Sequence, residues 1–309
     1  MSATIGSSTV AAILGVSPWQ SPMQAWATLT GLVERTDTDD RVKRRGRIIE
    51  PALREEHARV IGVPITPGPA YEAEPLVAPA PNDWAHCRPD GFYLDGEEIV
   101  SVVEIKTTRS FDGWGDDGSA DVPVYYASQV VWQMGVLSLR GAHVQGTDLV
   151  AYCPMSEEIR TYHIPYNAEQ FGRMLDVVGD WYRRHVVAGE PPPVDGSEAT
   201  RKVLARLYSG GEEKVVIEPT DDDRADAAVI LTAQSTIAAS EALADAAKAR
   251  IMERIGKAGA TEIKGVARWS PVKGRSGFDS KAALAADPSL TRFQTTGEPT
   301  RRLTILAKE

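Results

Sequence analysis

Two Glu-Ile-Lys tripeptides are the segments of this sequence whose residue types could do chemistry. One spans residues 104–106 and the other spans residues 262–264. Side chains two residues apart on a β-strand share one face, so Glu104 and Lys106 would point together to one side while Ile105 points into the core. A carboxylate beside an ammonium group on a strand could form part of a site that binds a metal ion and activates water.

A second carboxylate, Asp90, stands at the start of the strand that precedes the first copy. The chain from Asp90 to Glu104 is typical of a β-hairpin that turns around residues 95–96. A connecting loop of about four or five residues would place Asp90 almost opposite Glu104, whereas a two-residue turn would put them about three residues out of register. The turn therefore decides whether the two carboxylates meet.

Two carboxylates on neighbouring strands beside a lysine suit a hard divalent cation such as Mg²⁺. This ion takes oxygen ligands and keeps several waters, one of which can become a nucleophile. The backbone carbonyl of Ile105 is a further ligand, and Lys106 would position the attacking water or offset charge on a pentavalent phosphorus. Burial of Asp90 and Glu104 together would be costly without a cation.

The alternative is an exposed Glu/Lys pair on a sheet face, with Asp90 serving only a turn. Context favours chemistry at the first copy, because Glu50 lies on an earlier helix and a helix with Tyr and Gln residues follows. The copy that contains Glu262 follows a long Ala-rich helix and has no Pro-Asp hairpin before it. We therefore expect the first copy to be catalytic and the second copy to have no catalytic role.

Composition bounds the class of protein. The 309 residues are 42% hydrophobic and 25% charged, which is typical of a soluble protein with one large domain or two modest ones. We expect no membrane span, no signal peptide and, with only two cysteines, a reducing cytoplasm. The net charge of −9 argues against a protein that simply coats nucleic acid, but it is compatible with an enzyme that has a local basic groove.

The order of predicted elements indicates an α/β domain followed by a helical region. We place a boundary at the Pro-rich linker PPPVDGS, with residues 1–195 as the first domain and residues 196–309 as a C-terminal helical region with short strands. A long helix in this second region carries a narrow, mostly apolar seam between residues 230 and 251. The helix could brace the core, form an oligomer interface or dock a partner, and bracing is the favoured interpretation.

Five segments of the chain, taken in order, resemble the YqaJ-type viral recombinases, relatives of lambda exonuclease within the PD-(D/E)xK nuclease class. The segments are IGSSTVAAILGVSPWQSP, RRGRIIEP, HCRPDG, VVEIKTT and VPVYYASQVVWQM. The resemblance implies an α/β fold with a restriction-endonuclease-like PD-(D/E)xK core, whose mixed central sheet is flanked by helices. The C-terminal region would add a long helix and short strands.

The resemblance also assigns roles to the residues of the predicted site. Asp90 and Glu104 become the metal ligands, and Lys106 becomes the catalytic lysine. Glu50 matches the helix glutamate that completes the metal site, directly or through water. The implied cofactor is Mg²⁺, with Mn²⁺ as a substitute.

DNA contacts are expected at a second group of residues. The resemblance implies them for Ser8, Thr107, Tyr126 and Gln129, although Ser8 could equally be a helix N-cap. The basic run at residues 41–47 alone would be a solvated helix face. Next to the predicted site it favours a DNA-backbone role for three arginines, which are Arg44, Arg45 and Arg47.

The sequence departs from the family pattern in two places. Relatives carry a Trp and an Arg upstream of IGSS, and the Arg engages the terminal 5′-phosphate of DNA; this chain has neither, which leaves its end polarity open. Val131 stands where some relatives have a second Gln, and Gln133 follows one helical turn later than Gln129. Two histidines near the site in sequence, His57 and His86, match no family motif and are expected to be structural or surface residues.

The expected function is Mg²⁺-dependent exonuclease digestion of linear double-stranded DNA, 5′→3′, in phage-type homologous recombination. The alternatives are a nicking or structure-specific endonuclease of the same fold and a catalytically inactive DNA-binding module. The expected partners are DNA ends, a single-strand annealing protein of the RecT/Beta type and further copies of the chain in a ring. The expected location is the cytoplasm of a bacterium that carries the phage or prophage.

Overall fold

The computed structural model describes residues 3–34, 40–70, 73–209, 215–274, 277, 279–295 and 303–305. The described helices are α1 (Ser7–Ile13), α2 (Pro22–Leu29), α3 (Asp40–Ile61), α4 (Val124–Leu139), α5 (Ala168–Trp181), which continues as a π-helix (Tyr182–Val187), α6 (Glu198–Leu207), α7 (Asp221–Lys257), α8 (Ser280–Ala286) and a 3₁₀-helix (Pro288–Phe293). The described strands are β1 (Ile5–Gly6), β2 (Thr66–Pro67), β3 (Leu76–Val77), β4 (Ala85–Cys87), β5 (Gly91–Asp95), β6 (Glu98–Thr107), β7 (Gly146–Cys153), β8 (Glu158–Pro165), β9 (Glu262–Ile263) and β10 (Ala267–Arg268). These elements divide into two compact units, Met1–Leu207 and Tyr208–Glu309.

A mixed five-stranded sheet is the centre of the first unit. Its strand order is β2-β5-β6-β7-β8, in which β6 and β7 run parallel and the other neighbours run antiparallel. The parallel pair is possible because α4 connects its two strands as a crossover helix. The predicted α/β architecture, with a mixed central sheet flanked by helices, is confirmed.

Helices cover both faces of β6, which explains why this strand is apolar on both sides. On one face, Val103 and Ile105 pack against Leu53 of α3. On the other face, α4 lies over the sheet with Trp132 and Met134 completely buried. The residue at the centre of β6 on the α4 side is therefore enclosed by protein, whatever its polarity.

A separate three-stranded sheet contains β4, the strand just before the hairpin. Strand β4 pairs with β1 and β3, in the order β1-β4-β3, and leaves the central sheet to begin at Gly91. Strand β5 therefore begins one residue after Asp90, close to the predicted strand start. Pro89 explains the break, since it lacks the N–H group that a central strand needs and separates the two sheets at this point.

The hairpin between β5 and β6 has a two-residue turn and a β-bulge. Asp95 pairs with Glu98, so the turn is formed by residues 96–97, one position beyond the predicted place. The register shifts between Tyr93 and Leu94, which adds one residue to the offset between the strands. The expectation that a two-residue turn would carry Asp90 three residues out of register is therefore wrong.

One predicted helix feature near the N-terminus also changes. The N-cap of α1 is Gly6, with no capping side chain, and Ser8 is the second residue of the helix and exposed. The interpretation of Ser8 as an N-cap is therefore wrong. Pro51 lies inside α3, which continues through it as one helix.

The second unit contains α7, a short β9–β10 hairpin and α8, so the predicted long helix and short strands are confirmed. Most residues of the seam on α7 are exposed, including Ile237. This helix is long and apolar enough to cross a membrane by length and composition, but one such helix is weak evidence, and three aspartates occupy its first turn. The expectation that no apolar run approaches that length has this exception, because alanine raises the mean hydropathy of the helix.

Helix α6, which follows the predicted boundary at residue 195, packs within the first unit. Val203 of α6 is buried in one cluster with Met23 and Trp26 of α2. Thr200 Oγ1 also donates a buried hydrogen bond of 2.8 Å to Ser21 Oγ. These contacts explain why the compact units divide after Leu207.

Candidate active site

The hairpin register places Asp90 across from Glu104. Gly91 pairs with Val103, and one further step along the two antiparallel strands brings Asp90 opposite Glu104. Asp90 Oδ2 accepts a hydrogen bond of 2.7 Å from the backbone N–H of Ile105, which joins the carboxylate to the neighbouring strand. Two acidic side chains from neighbouring strands are thus held at the same level of the sheet.

Glu104 is the most enclosed charged residue in the described part of the chain, with 1% of its surface exposed. Its Oε1 accepts hydrogen bonds from the ammonium of Lys106 and from Nε2 of Gln129, and its Oε2 accepts one of 2.8 Å from Nε2 of Gln133. A buried carboxylate is tolerated when it is paired and hydrogen-bonded in this way. Helix α4 therefore supplies two amides that orient Glu104.

Lys106 lies between the carboxylates and an aromatic ring. Burial alone would lower its pKa, but the charges of Glu104 and Asp90 outweigh burial and hold the pKa of Lys106 above its ordinary value. Its Nζ lies 5.6 Å from the ring centroid of Tyr126, within the range of a cation–π contact. The ammonium group is thus kept charged and close to both carboxylates.

Glu50 approaches the site from α3 through Arg54, an arginine that no sequence motif indicated. Arg54 Nη1 donates hydrogen bonds of 3.2 Å to Glu50 Oε1 and 3.0 Å to the backbone oxygen of Asp90. Gly91 leaves space for this arginine, because a Cβ atom there would lie 3.2 Å from Arg54 Cδ and 2.7 Å from Ile65 Cγ2. The spacing of Glu50 and Arg54, one helical turn apart, was the only sequence signal for this contact.

The acids of the site repel one another. Desolvation and the charge of Glu104 raise the pKa of Asp90 well above its usual value. Desolvation also raises the pKa of Glu50, and the Arg54 charge opposes that effect only in part. A divalent cation would relieve this repulsion, so the donor set of two carboxylates and the Ile105 carbonyl fits an ion that keeps several waters.

The candidate metal site is not a cluster of three side-chain ligands. Among the described residues, no three His, Cys, Asp or Glu side chains form a group that could hold a metal ion. Arg54 donates to one oxygen of the Glu50 carboxylate, which leaves a role directly or through water open to it. The predicted metal ligands stay a prediction.

The residues predicted to contact DNA fall into two groups. Gln129 of α4 contacts Glu104, and Tyr126 of α4 lies beside Lys106, both half-buried. Thr107 follows Lys106 at the end of β6 and is half-buried too. Three arginines of α3 are exposed, one to two turns before Glu50: Arg44, Arg45 and Arg47. Ser8 is exposed on α1, and no described contact joins its side chain to the site.

The second Glu-Ile-Lys copy has different surroundings. Glu262 lies on a two-residue strand and is exposed, and its carboxylate forms an ion pair of 2.7 Å with Arg268 on the neighbouring strand. In the described chain, no second carboxylate lies opposite Glu262 in this hairpin, where its register partner is Arg268. This copy therefore provides a natural comparison for the first.

A polar cluster occupies the α3 face of the sheet. Asp148 Oδ2 accepts a hydrogen bond of 2.7 Å from the hydroxyl of Tyr93 and lies 3.1 Å from His57 Nε2, and His163 Nδ1 lies 2.7 Å from Oδ1. His57 is buried and joins α3 to the sheet. His86 lies on β4, where its ring fills the space above Gly6.

The fold and this site define the class of protein. An acid before one strand, an acid and a lysine two residues apart on the next, and a glutamate on a preceding helix form the pattern of a PD-(D/E)xK protein. Residues 2–145 match the family model described as the YqaJ-like viral recombinase domain. This part of the chain is therefore similar to that domain, and the resemblance found in the sequence is confirmed.

Similar proteins include one curated relative and several solved structures. The uncharacterized protein YqaJ of Bacillus subtilis (strain 168) is 22% identical over 223 residues, which cover 71% of this chain and 65% of that protein. The alkaline exonuclease of Laribacter hongkongensis is 17% identical, with a TM-score of 0.45 over 61% of this chain and 90% of that one. A phage-related exonuclease from Haemophilus somnus 129PT is 11% identical, with a TM-score of 0.36 over 60% of this chain and 96% of that one.

Proposed function

We propose that this protein is a Mg²⁺-dependent deoxyribonuclease that digests linear double-stranded DNA from its ends in the 5′→3′ direction. The observation that carries the proposal is the meeting of Asp90, Glu104 and Lys106, with Glu104 buried and the other two half-buried. A structural surface pair would not bury a carboxylate to 1% exposure among three donors. The recombinase domain family adds independent support for DNA as the substrate.

Each residue of the site has a distinct part in phosphodiester hydrolysis. Asp90, Glu104 and the carbonyl of Ile105 would hold Mg²⁺, which supplies an activated water and offsets the charge on the phosphate when bound. Lys106 stays protonated at neutral pH, so it acts as a positive donor to the attacking water or to the phosphate oxygens rather than as a general base. Gln129 and Gln133 keep Glu104 in one orientation.

The outer contacts of the site suit a polyanion. Glu50, held by Arg54, is placed to orient a water beside Asp90. The exposed arginines of α3 before it are suited to phosphate contacts along the duplex, although the whole chain carries a net charge of −9. Thr107, Tyr126 and Ser8 are the further residues that we assign to DNA contact.

Recombination provides the cellular setting of the proposal. A YqaJ-like viral recombinase domain suggests a soluble protein. An exonuclease that exposes single strands would hand them to a single-strand annealing protein of the RecT/Beta type. We place this activity in the cytoplasm of a bacterial host, with the enzyme as a ring-shaped homo-oligomer and Mn²⁺ as a substitute for Mg²⁺.

The test is digestion of linear duplex DNA, with a 5′-phosphate or a 5′-hydroxyl, against a closed circle, in Mg²⁺ or EDTA. Loss of the linear DNA alone, and only with metal, is the expected result. The comparison of 5′ ends reports whether digestion depends on a terminal 5′-phosphate. Cutting of the circle would instead indicate an endonuclease, and no cleavage with Mg²⁺ or with Mn²⁺ would leave a DNA-binding module.

A further inference from the structure

A row of three aromatic rings leads from the surface to the candidate active site. The ring of Trp19 packs edge-on against Tyr125, with centroids 4.8 Å apart and an interplanar angle of 76°. Tyr125 is followed at 4.5 Å by Tyr126. The ring centroid of Tyr126 lies 5.6 Å from Nζ of Lys106. The row therefore runs from Trp19 to the lysine of the proposed catalytic group.

The outer end of this row is open to solvent. Trp19 is 63% exposed, although it has the largest apolar surface of any side chain in its loop. The loop that carries it is held in shape, because Ser17 Oγ accepts hydrogen bonds from the backbone N–H groups of Trp19 (3.2 Å) and Gln20 (3.1 Å). A large aromatic ring presented on a fixed loop beside a reactive site is typical of a binding surface.

The inner end of the row is held in place by packing. Tyr126 also contacts Trp114, with ring centroids 5.3 Å apart, and Trp114 contacts the buried Tyr162 at 5.1 Å. Tyr126 is thus fixed from behind, while Tyr125 and Trp19 continue the row outward. These contacts preorganise the rings, so the binding of a flat ligand would cost little side-chain entropy.

We propose that Trp19 and Tyr125 form a stacking platform for an unpaired nucleobase at the end of the DNA. This inference rests on the proposed nuclease function and names the form of its substrate: an end whose terminal base has left the duplex. Aromatic rings bind unstacked bases without regard to sequence. The ammonium of Lys106 at the inner end of the row favours a ligand whose stacked base is joined to a phosphate, which distinguishes a nucleotide from an apolar peptide.

The test measures binding in EDTA, so that it does not depend on cleavage. The probe is a short duplex whose terminal base is 2-aminopurine, either paired or mismatched, and its fluorescence reports stacking. We expect the wild-type chain to quench the mismatched end and to bind it more tightly than the paired end. Trp19→Ala should lower the affinity for the mismatched end by about tenfold and abolish the preference, and Trp19→Tyr should retain part of it.

Trp269→Ala is the matched control, because Trp269 is also an exposed tryptophan but lies in the second compact unit. Equal quenching and affinity in the wild type and Trp19→Ala would overturn the inference and leave the row as packing or as a contact for a protein partner. The proposed function fails separately if the wild type shows no Mg²⁺-dependent cleavage while Trp19→Ala still has a lower affinity for the mismatched end. Cleavage with no effect of Trp19 would overturn the stacking platform alone.

Discussion

Gln133 on α4 and Glu104 on β6 are joined inside the protein by a hydrogen bond of 2.8 Å, and both side chains are almost completely buried. A helix that covers a sheet normally contributes apolar side chains at such a position. Here it contributes the amide of Gln133. Among the described residues, the only hydrogen-bond acceptor of Gln133 Nε2 is the Glu104 carboxylate. The central acid of the site is therefore part of the core packing and cannot turn away from the site without leaving Gln133 unpaired.

Loss of charge at the first Glu-Ile-Lys copy is expected to abolish hydrolysis. Glu104→Gln and Lys106→Met should each lower the rate of linear duplex digestion by at least about 100-fold. Glu104→Gln removes the charge of a proposed metal ligand, and Lys106→Met removes the positive charge beside the reacting phosphate. DNA affinity measured in EDTA should stay close to that of the wild type. Glu262→Gln is the control, since it makes the same change in the second copy, and it should digest DNA normally. Unchanged digestion by Glu104→Gln would refute the site assignment.

Arg54 is expected to act through Glu50. Arg54→Ala should lower kcat by about 10- to 100-fold, the cost typical of removing a residue that orients a metal-site group. Because Glu50 and Arg54 would act as a unit, the double variant with Glu50→Gln should be no slower than the slower single variant. Arg59→Ala, an exposed change on the same helix, should be neutral. Additive losses in the double variant would show that Arg54 acts elsewhere.

Metal binding should be visible as stability in the absence of DNA. A cation that relieves the repulsion between Asp90 and Glu104 binds only the folded chain, and at about 100 times its Kd it would contribute about 2.7 kcal/mol. We therefore expect Mg²⁺ to raise the Tm of the wild type in thermal unfolding. Asp90→Asn removes one metal ligand and also the repulsion between Asp90 and Glu104. The Tm of this variant should therefore not rise when Mg²⁺ is added. A rise of equal size in both proteins would locate the bound ion outside this site.

Helix propensity and packing make opposite predictions at Gly135. A Cβ atom on Gly135 of α4 would lie 2.0 Å from Cδ2 of Phe171 on α5, so Gly135→Ala should destabilise the fold by about 1–3 kcal/mol. A Cβ atom on Gly172 of α5 would have no other atom within 4 Å, and Gly172→Ala should stabilise the fold by up to about 1 kcal/mol. Urea unfolding of the two variants measures the contrast. A stabilised Gly135→Ala variant would contradict the close packing of the two helices.

Asp148 should make stability depend on acid pH. Burial raises its pKa, but hydrogen bonds from His57, Tyr93 and His163 outweigh burial and hold the pKa below its ordinary value. A lowered folded-state pKa stabilises the fold above the unfolded pKa and loses that effect as pH falls through the folded pKa. Asp148→Asn should therefore cost about 1–3 kcal/mol at pH 7, and its deficit against the wild type should shrink below about pH 4. A deficit that stays constant from pH 7 to pH 3 would contradict this assignment.

The residue types and local patterns of the sequence determined much of the fold and of the candidate site. Alternation along β6 separates Glu104 and Lys106 from Val103 and Ile105, because side chains of a strand alternate between faces regardless of what surrounds it. Helix ends were also predictable, as at Gly15 and Gly31, where a positive φ favours glycine. Each of these features depends on neighbours a few residues away.

Only the tertiary structure decided which residues meet. The bulge beside Tyr93 sets Asp90 opposite Glu104. The sequence predicted that this register would need a longer turn than the two-residue turn that the structure has. The contacts of Glu104 with Gln133 and of Arg54 with Asp90 join residues 29 and 36 positions apart. The physical reason is that strand register and helix placement follow from packing the whole core, which no short window of sequence contains.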